Sequence, residues 1–282
     1  MQRITAEIPI EAFSIFATGI DHPECIAFDR NGNLWAGGEA GQVYRISKDG
    51  KVAQVANIGG FCGGLAFSPQ DELFVCNPAH GIVRLEPSGK FSVFATHAAT
   101  QKLVCPNFGV FDSKGNYYVS DSGNWKKNNG FLIRFRPDGQ GEILAGPMGY
   151  ANGLALSVDE RFLFVVESNT DSVLRFEIKP DGSLGPSQAY ATECGRFPDG
   201  LALDQEGNLY VCCYASDEIW RIDPSGRKTL FAWDRWAILL GSPTNMAFGG
   251  EQMDELYFAN LARTTITRAK VGRRGQKLVN LR

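Results

Sequence analysis

Four polar side chains interrupt short apolar runs at equivalent places: Glu24 in PECIAF, Asn107 in PNFGVF, Asn152 in ANGLAL and Asp199 in PDGLAL. Two are carboxylates and two are carboxamides, so each offers a hard oxygen donor. Short polar residues often only cap the entry to a strand, but Glu is a poor turn residue and Glu24 fits that role badly. Four such oxygens brought together suit a divalent cation. Two carboxylates facing each other in a buried place repel and need neutralising. All-oxygen donors favour Ca²⁺ or Mg²⁺ over zinc, whose sites usually include His or Cys. One divalent cation is therefore expected on Glu24, Asn107, Asn152 and Asp199. Ca²⁺ is the leading candidate, with Mg²⁺, Mn²⁺ or Zn²⁺ as alternatives. Four protein oxygens leave room for a water or substrate oxygen, as in a catalytic site.

These residues come together only if the chain repeats, and it does. The apolar residues that close the first strand of each unit are Phe28, Phe67, Phe111, Leu156, Leu203 and Phe248. They are 39, 44, 45, 47 and 45 residues apart, a mean period of 44. Each copy carries three strand patterns, as in GLALD, NLYV and IWRI, and a fourth follows in the spacer, as in FSVFAT and KTLFAW. Four antiparallel strands in each of six units predict an all-β, six-bladed β-propeller, with residues 1–282 as a single domain. Helical periodicity is absent, which excludes an α-solenoid. FSIFAT at 13–18 precedes the first full copy and nearly matches the outer strand FSVFAT at 91–96. The N-terminal strand is therefore expected to complete the last blade and close the ring.

Four residues before each anchor lie Glu24, Gly63, Asn107, Asn152, Asp199 and Thr244. The first strand of a propeller blade lines the central channel, so the repeat gathers these six at one end of it. Second strands end on that same face, which directs Asp121, Glu167 and Tyr214 toward the mouth. The third copy has a long connection, SGNWKKNNG at 122–130, a candidate lid with Trp125 toward a substrate. His22, two residues before Glu24, is a further candidate substrate contact beside Asn107, Asp121 and Trp125. His80 and His97 are expected on the surface.

The segments HPECIAFD, CPNFGVFDSKGNYYVSD, ANGLALS and FPDGLALD, in this order and spacing, resemble the SMP-30/gluconolactonase/LRE-like family. That family comprises six-bladed, calcium-dependent lactonase propellers related to diisopropyl fluorophosphatase and more distantly to paraoxonase. The similarity spans nearly the whole chain. It places the family's metal Glu on Glu24, its metal Asn on Asn152 and its metal Asp on Asp199. Asn107 matches an Asn that binds metal in some members and substrate or water in others. The resemblance implies a metal-dependent hydrolase that opens a sugar or related small lactone, with Asp199 as the catalytic residue. Whether Asp199 is general base, nucleophile or ligand alone stays open. There is one departure: some sugar-lactonase members carry an Arg two residues before the Asn matched by Asn107, and here that position is Cys105. An organophosphate or ester hydrolase on the same site is one alternative, and a non-enzymatic propeller scaffold is another.

Composition agrees with a globular protein acting on a small molecule. The chain is 44% hydrophobic and 21% charged, with a net charge of −3, which gives no electrostatic reason to expect nucleic acid or an anionic membrane as a partner. No run of 18 apolar residues is present, and the N-terminus lacks the apolar core of a signal peptide. The seven cysteines (25, 62, 76, 105, 194, 212 and 213) form no CxxC pair. They imply no disulfide framework and a reducing, cytoplasmic setting. The vicinal Cys212 and Cys213 read as strand packing. No GxSxG elbow, P-loop or dinucleotide fingerprint follows a strand.

Overall fold

The computed structural model describes residues 5–282. Six four-stranded antiparallel sheets form a six-bladed propeller, and no α-helix occurs among the described residues. The innermost strands are Cys25–Phe28, Leu65–Phe67, Pro106–Phe111, Ala151–Leu156, Pro198–Leu203 and Pro243–Gly249, for blades one to six in order. A two-stranded hairpin, His97–Ala98 with Gln101–Lys102, joins blades two and three.

The repeated turn between the first two strands has a simple physical basis. In blades one, three and five an Asp accepts the backbone N–H four residues on, and that residue is an Asn whose amide returns to the same carboxylate. The pairs are Asp29 with Asn33, Asp112 with Asn116 and Asp204 with Asn208. The Gly before each Asn (Gly32, Gly115 and Gly207) has φ near +80°, which glycine adopts without steric cost. The FDRNGN, FDSKGN and LDQEGN repeats are thus one turn written three times.

The core is divided between the blades. Six apolar clusters each span one inter-blade interface, from Trp35 against Phe67 between blades one and two to Phe28 against Tyr257 between blades six and one. Sheets that pack face to face around a ring leave their inner edges facing a channel, and that is where the polar slot residues sit.

The ring closes as the repeat predicts. Phe13–Thr18 pairs antiparallel with Thr265–Lys270 as the outer strand of blade six. The final KLVNLR, the only other segment long enough for that place, lies instead across the channel end remote from the slot residues. There Gln276 N–H donates to the Leu203 carbonyl at 2.9 Å, Asn280 Nδ2 donates to the Phe28 carbonyl at 2.9 Å, and Arg282 pairs with Glu160 at 2.8 Å. No helix among the described residues is long and apolar enough to cross a membrane.

Candidate functional site

Four of the six slot residues owe their aim to a fault in their own strand; Glu24 and Gly63 lie just ahead of strands that pair without one. In blades three to six the register between first and second strands slips at Pro106/Phe108, Ala151/Leu154, Pro198/Leu201 and Pro243/Asn245. The residues skipped are Asn107, Asn152 with Gly153, Asp199 with Gly200, and Thr244. A bulge leaves its extra residue unpaired and re-aims the side chain, here into the channel. The following glycines let neighbouring blades approach. A Cβ on Gly153 would lie 2.2 Å from the Asp199 carbonyl oxygen, and one on Gly200 would lie 2.5 Å from that of Thr244.

Hydrogen bonds then orient the amides. Asn107 Nδ2 donates to Ser122 Oγ at 3.0 Å, and Ser122 Oγ donates to the Ala151 carbonyl at 2.6 Å. The next blade repeats the device: Asn152 Nδ2 donates to Ser168 Oγ at 3.3 Å, and Ser168 Oγ donates to the Pro198 carbonyl at 2.7 Å. With the NH₂ groups held outward, each amide turns its oxygen toward the channel. Thr244 Oγ1 donates to the Glu24 carbonyl at 2.7 Å and ties blade six to blade one.

Glu24, Asn107, Asn152 and Asp199 are between 4% and 9% exposed. Glu24 Oε2 and Asn152 Oδ1 are buried with no hydrogen-bond partner. Asn245 Nδ2, one residue beyond the Thr244 slot, is a third such atom. Burial pushes the Glu24 and Asp199 carboxyls above the ordinary range. For Asp199 the Glu24 charge adds to that, while the Asn152 amide opposes it. Two carboxylates and two amide oxygens, with orphaned acceptors among them, form a donor set that fits a hard divalent cation. No cluster of three or more His, Cys, Asp or Glu side chains suited to a metal exists among the described residues; the amides make up the set here.

The four residues form the floor of a cavity of about 280 Å³. Trp125 and Tyr214 line it, as expected of rim residues. Trp125 packs edge-on against Tyr150 at 4.7 Å and stacks on Phe197 at 5.4 Å, so this part of the 122–130 connection forms a wall of the cavity. An Asn124–Asn129 side-chain pair and a turn from Lys127 N–H to the Asn124 carbonyl close the connection.

Three expected mouth residues do not line the cavity. Asp121 is buried, and its carboxylate accepts the N–H groups of Val104, Cys105 and Gly123 at 2.7, 2.8 and 3.0 Å. It holds the approach to Asn107. Glu167 accepts the Gly149 N–H at 2.6 Å and the Thr170 hydroxyl at 2.9 Å. His22 faces outward, with Nδ1 2.9 Å from Asp21 Oδ1.

Sequence reasoning missed the collar above the floor. Phe61, Cys105, Tyr150 and Phe197 each stand two residues before a slot residue, and all four line the cavity. Tyr150 and Phe197 have φ of 64° and 50°, a left-handed conformation unusual for bulky side chains. The alignment that found the floor also aligns this second ring; its mixture of His, Phe, Cys, Tyr and Ser hid it. Ser168 also lines the cavity, and it and Ser122 were missed, although each directly follows the acid that ends a second strand. All seven cysteines are unpaired, and Cys212 and Cys213 are fully buried in their strand.

Comparison with known proteins agrees with this architecture. The family model for the SMP-30/Gluconolactonase/LRE-like region matches residues 23–262. A 6-deoxy-6-sulfogluconolactonase of Pseudomonas putida is 26% identical over 239 residues, covering 80% of this chain and 78% of the relative. Lactonase drp35 of Staphylococcus aureus strain USA300 is 31% identical over 237 residues, covering 78% and 70%. Among solved structures, the gluconolactonase XC5397 of Xanthomonas campestris superimposes with a TM-score of 0.79 at 19% identity, over 92% of this chain and 89% of that one. A calcium-binding regucalcin of Agrobacterium tumefaciens does so with a TM-score of 0.78 at 15% identity, over 96% and 97%. These two likenesses bear on the fold. With the family model spanning five of the six slot residues' blades in full and reaching into the sixth, the chain belongs to the SMP-30/gluconolactonase/LRE-like family.

Proposed function

We propose that this protein is a divalent-metal-dependent hydrolase that opens a lactone ring. One observation carries the proposal: Glu24 and Asp199, two buried carboxylates, share the cavity floor with unpartnered oxygens on Glu24 and Asn152. Glu24, Asn152 and Asp199, with Asn107, would hold the cation, and Ca²⁺ suits the oxygen donors best. The relatives named as lactonases and the calcium-binding regucalcin support the same assignment.

A bound cation would polarise the ester carbonyl and offset the charge that develops on its oxygen. The chain's own residues do the rest. Asp199 takes a proton from the attacking water as the water oxygen bonds to the carbonyl carbon. The ring C–O bond then breaks, and the proton returns to the leaving alkoxide, giving a hydroxy acid. Ser122 and Ser168 keep the amide oxygens of Asn107 and Asn152 turned inward. The aromatic collar screens the floor from bulk water, which strengthens every electrostatic contact there.

Hydrolysis of a lactone panel, followed by pH-stat, tests this. Activity is expected to vanish with chelator, return on adding Ca²⁺, and fall by about 10²–10⁴-fold in Asp199→Asn. Undiminished hydrolysis in chelator, or in the variant, would rule the scheme out.

A further inference from the structure

We propose that the lactone opened here is neutral and carries an apolar substituent, seated against Trp125 and Phe197 above the oxygen floor; the proposal rests on the lactone assignment and specifies its substrate.

The polar groups of the site are concentrated in the floor, and most of their donors are spent. Asn107 Nδ2 is committed to Ser122, Asn152 Nδ2 to Ser168, and Ser168 Oγ to the Pro198 carbonyl. A polyhydroxylated lactone loses water from each hydroxyl it buries, and every hydroxyl then needs a partner. The wall offers few. Phe61, Pro78, Trp125, Phe197 and Leu261 have apolar or largely apolar side chains, and the polar side chains left in the wall are those of Tyr150, Tyr214 and Cys105.

Among the described residues no Lys, Arg or His lines the cavity, while two carboxylates do. A substrate with its own sulfonate, phosphate or carboxylate would find no cationic side chain to pair with.

The apolar wall is a built surface. Trp125 lines the cavity and is 50% exposed, while Phe197 stacks on it and Tyr150 meets it edge-on. Both partners are fixed in left-handed backbone. Phe197 N–H donates to Asp171 Oδ1 at 2.8 Å, and its carbonyl accepts the Tyr214 N–H at 3.0 Å. The Tyr150 carbonyl accepts the Ser168 N–H at 3.2 Å, which joins wall to floor. Bulky residues are held at positive φ only where surrounding bonds over-determine them, and such places cluster at ligand clamps. Two aromatic rings present large apolar area with little conformational entropy left to lose.

The test compares kcat/KM, in saturating Ca²⁺, for glucono-δ-lactone, a sulfonated sugar lactone, δ-valerolactone, a series of δ-lactones with lengthening alkyl chains, and dihydrocoumarin. The alkyl and aryl lactones should exceed both sugar lactones by at least about tenfold, with a gain of about fourfold per methylene buried. Trp125→Ala should flatten that chain-length dependence, and Trp125→Phe should restore most of it. Circular dichroism and the Ca²⁺-induced rise in melting temperature verify that each variant is folded. Sugar lactones opened as well as or better than the apolar series would overturn the substrate class and leave the lactonase assignment standing. A chain-length dependence unchanged in Trp125→Ala would overturn the placement against Trp125. A wild type that opens no lactone would overturn the lactonase assignment and this proposal with it.

Discussion

Glu24 and Asp199 are carboxyls in one buried place, each held above the ordinary range by that burial, and among the described residues no cationic side chain lines their cavity. Neutral amides should therefore be easier on the apo fold than the native acids. In chelator at neutral pH, Asp199→Asn or Glu24→Gln is expected to be more stable than wild type, because each removes a carboxyl whose ionisation burial opposes. Ca²⁺ at a hundredfold excess over its dissociation constant should stabilise the wild type by about 2.7 kcal/mol and the variants by much less. Urea denaturation in chelator and in Ca²⁺ checks both signs; a variant less stable than wild type in chelator would contradict that cost of burial. The thiols give an independent probe. Burial pushes Cys105 up to about 11 and Cys62 and Cys76 up to about 12, so thiolate is scarce at pH 8. Cys105 alone of the seven lines the cavity. A thiol reagent should label the native chain slowly, at Cys105, and Cys105→Ser should abolish the reaction; rapid labelling of several thiols would contradict the burial. The floor was legible at this scale because a slot residue is locked to its anchor by sequence distance. Asp121 was misjudged because sequence located its Cα near the mouth but not its carboxylate, which three backbone N–H groups draw inward.

The inner strand is the element that converts a repeat into a site. In blades four and five its bulge frees Asn152 or Asp199, and the glycine after it lets the next blade close in. Gly153→Ala would drive a Cβ into the Asp199 carbonyl, 2.2 Å away. A cost of about 2–3 kcal/mol is expected, together with weaker Ca²⁺ binding, since Asp199 is the residue displaced. Ser168→Ala should cost about 1–3 kcal/mol by leaving polar groups unpaired and should also weaken Ca²⁺ binding, because Asn152 loses its anchor. Chemical denaturation beside Ca²⁺ titration separates the two effects, and unaltered Ca²⁺ affinity in both variants would show that the bulges do not set the site. Strand order and turns were legible because the D-x-x-G-N turn and the alternating strands are local. The collar was not. Positive φ at Tyr150 and Phe197 depends on bonds to Ser168, Asp171 and Tyr214, which only the assembled blades supply.

Closure governs the whole molecule. Phe13–Thr18 supplies the last strand of blade six, and the 275–282 segment lies across the far end of the channel. A ring with both devices in place should unfold as one unit, in a single thermal transition, consistent with one domain. Removing residues 1–18 would expose the edge of Thr265–Lys270, and that chain should melt earlier and aggregate; an unchanged melting temperature would show that closure carries no stability. The closing strand was legible because FSIFAT and FSVFAT are near copies, whereas nothing in KLVNLR announced a plug. The proposed hydrolase depends on one cation held by Glu24, Asn107, Asn152 and Asp199. Calorimetric titration of Ca²⁺ into metal-stripped wild type, Glu24→Gln and Asp199→Asn tests it most directly. One Ca²⁺ per wild-type chain, with binding lost in both folded variants, is the predicted result; a wild type that binds none, or variants that bind as well, would contradict it.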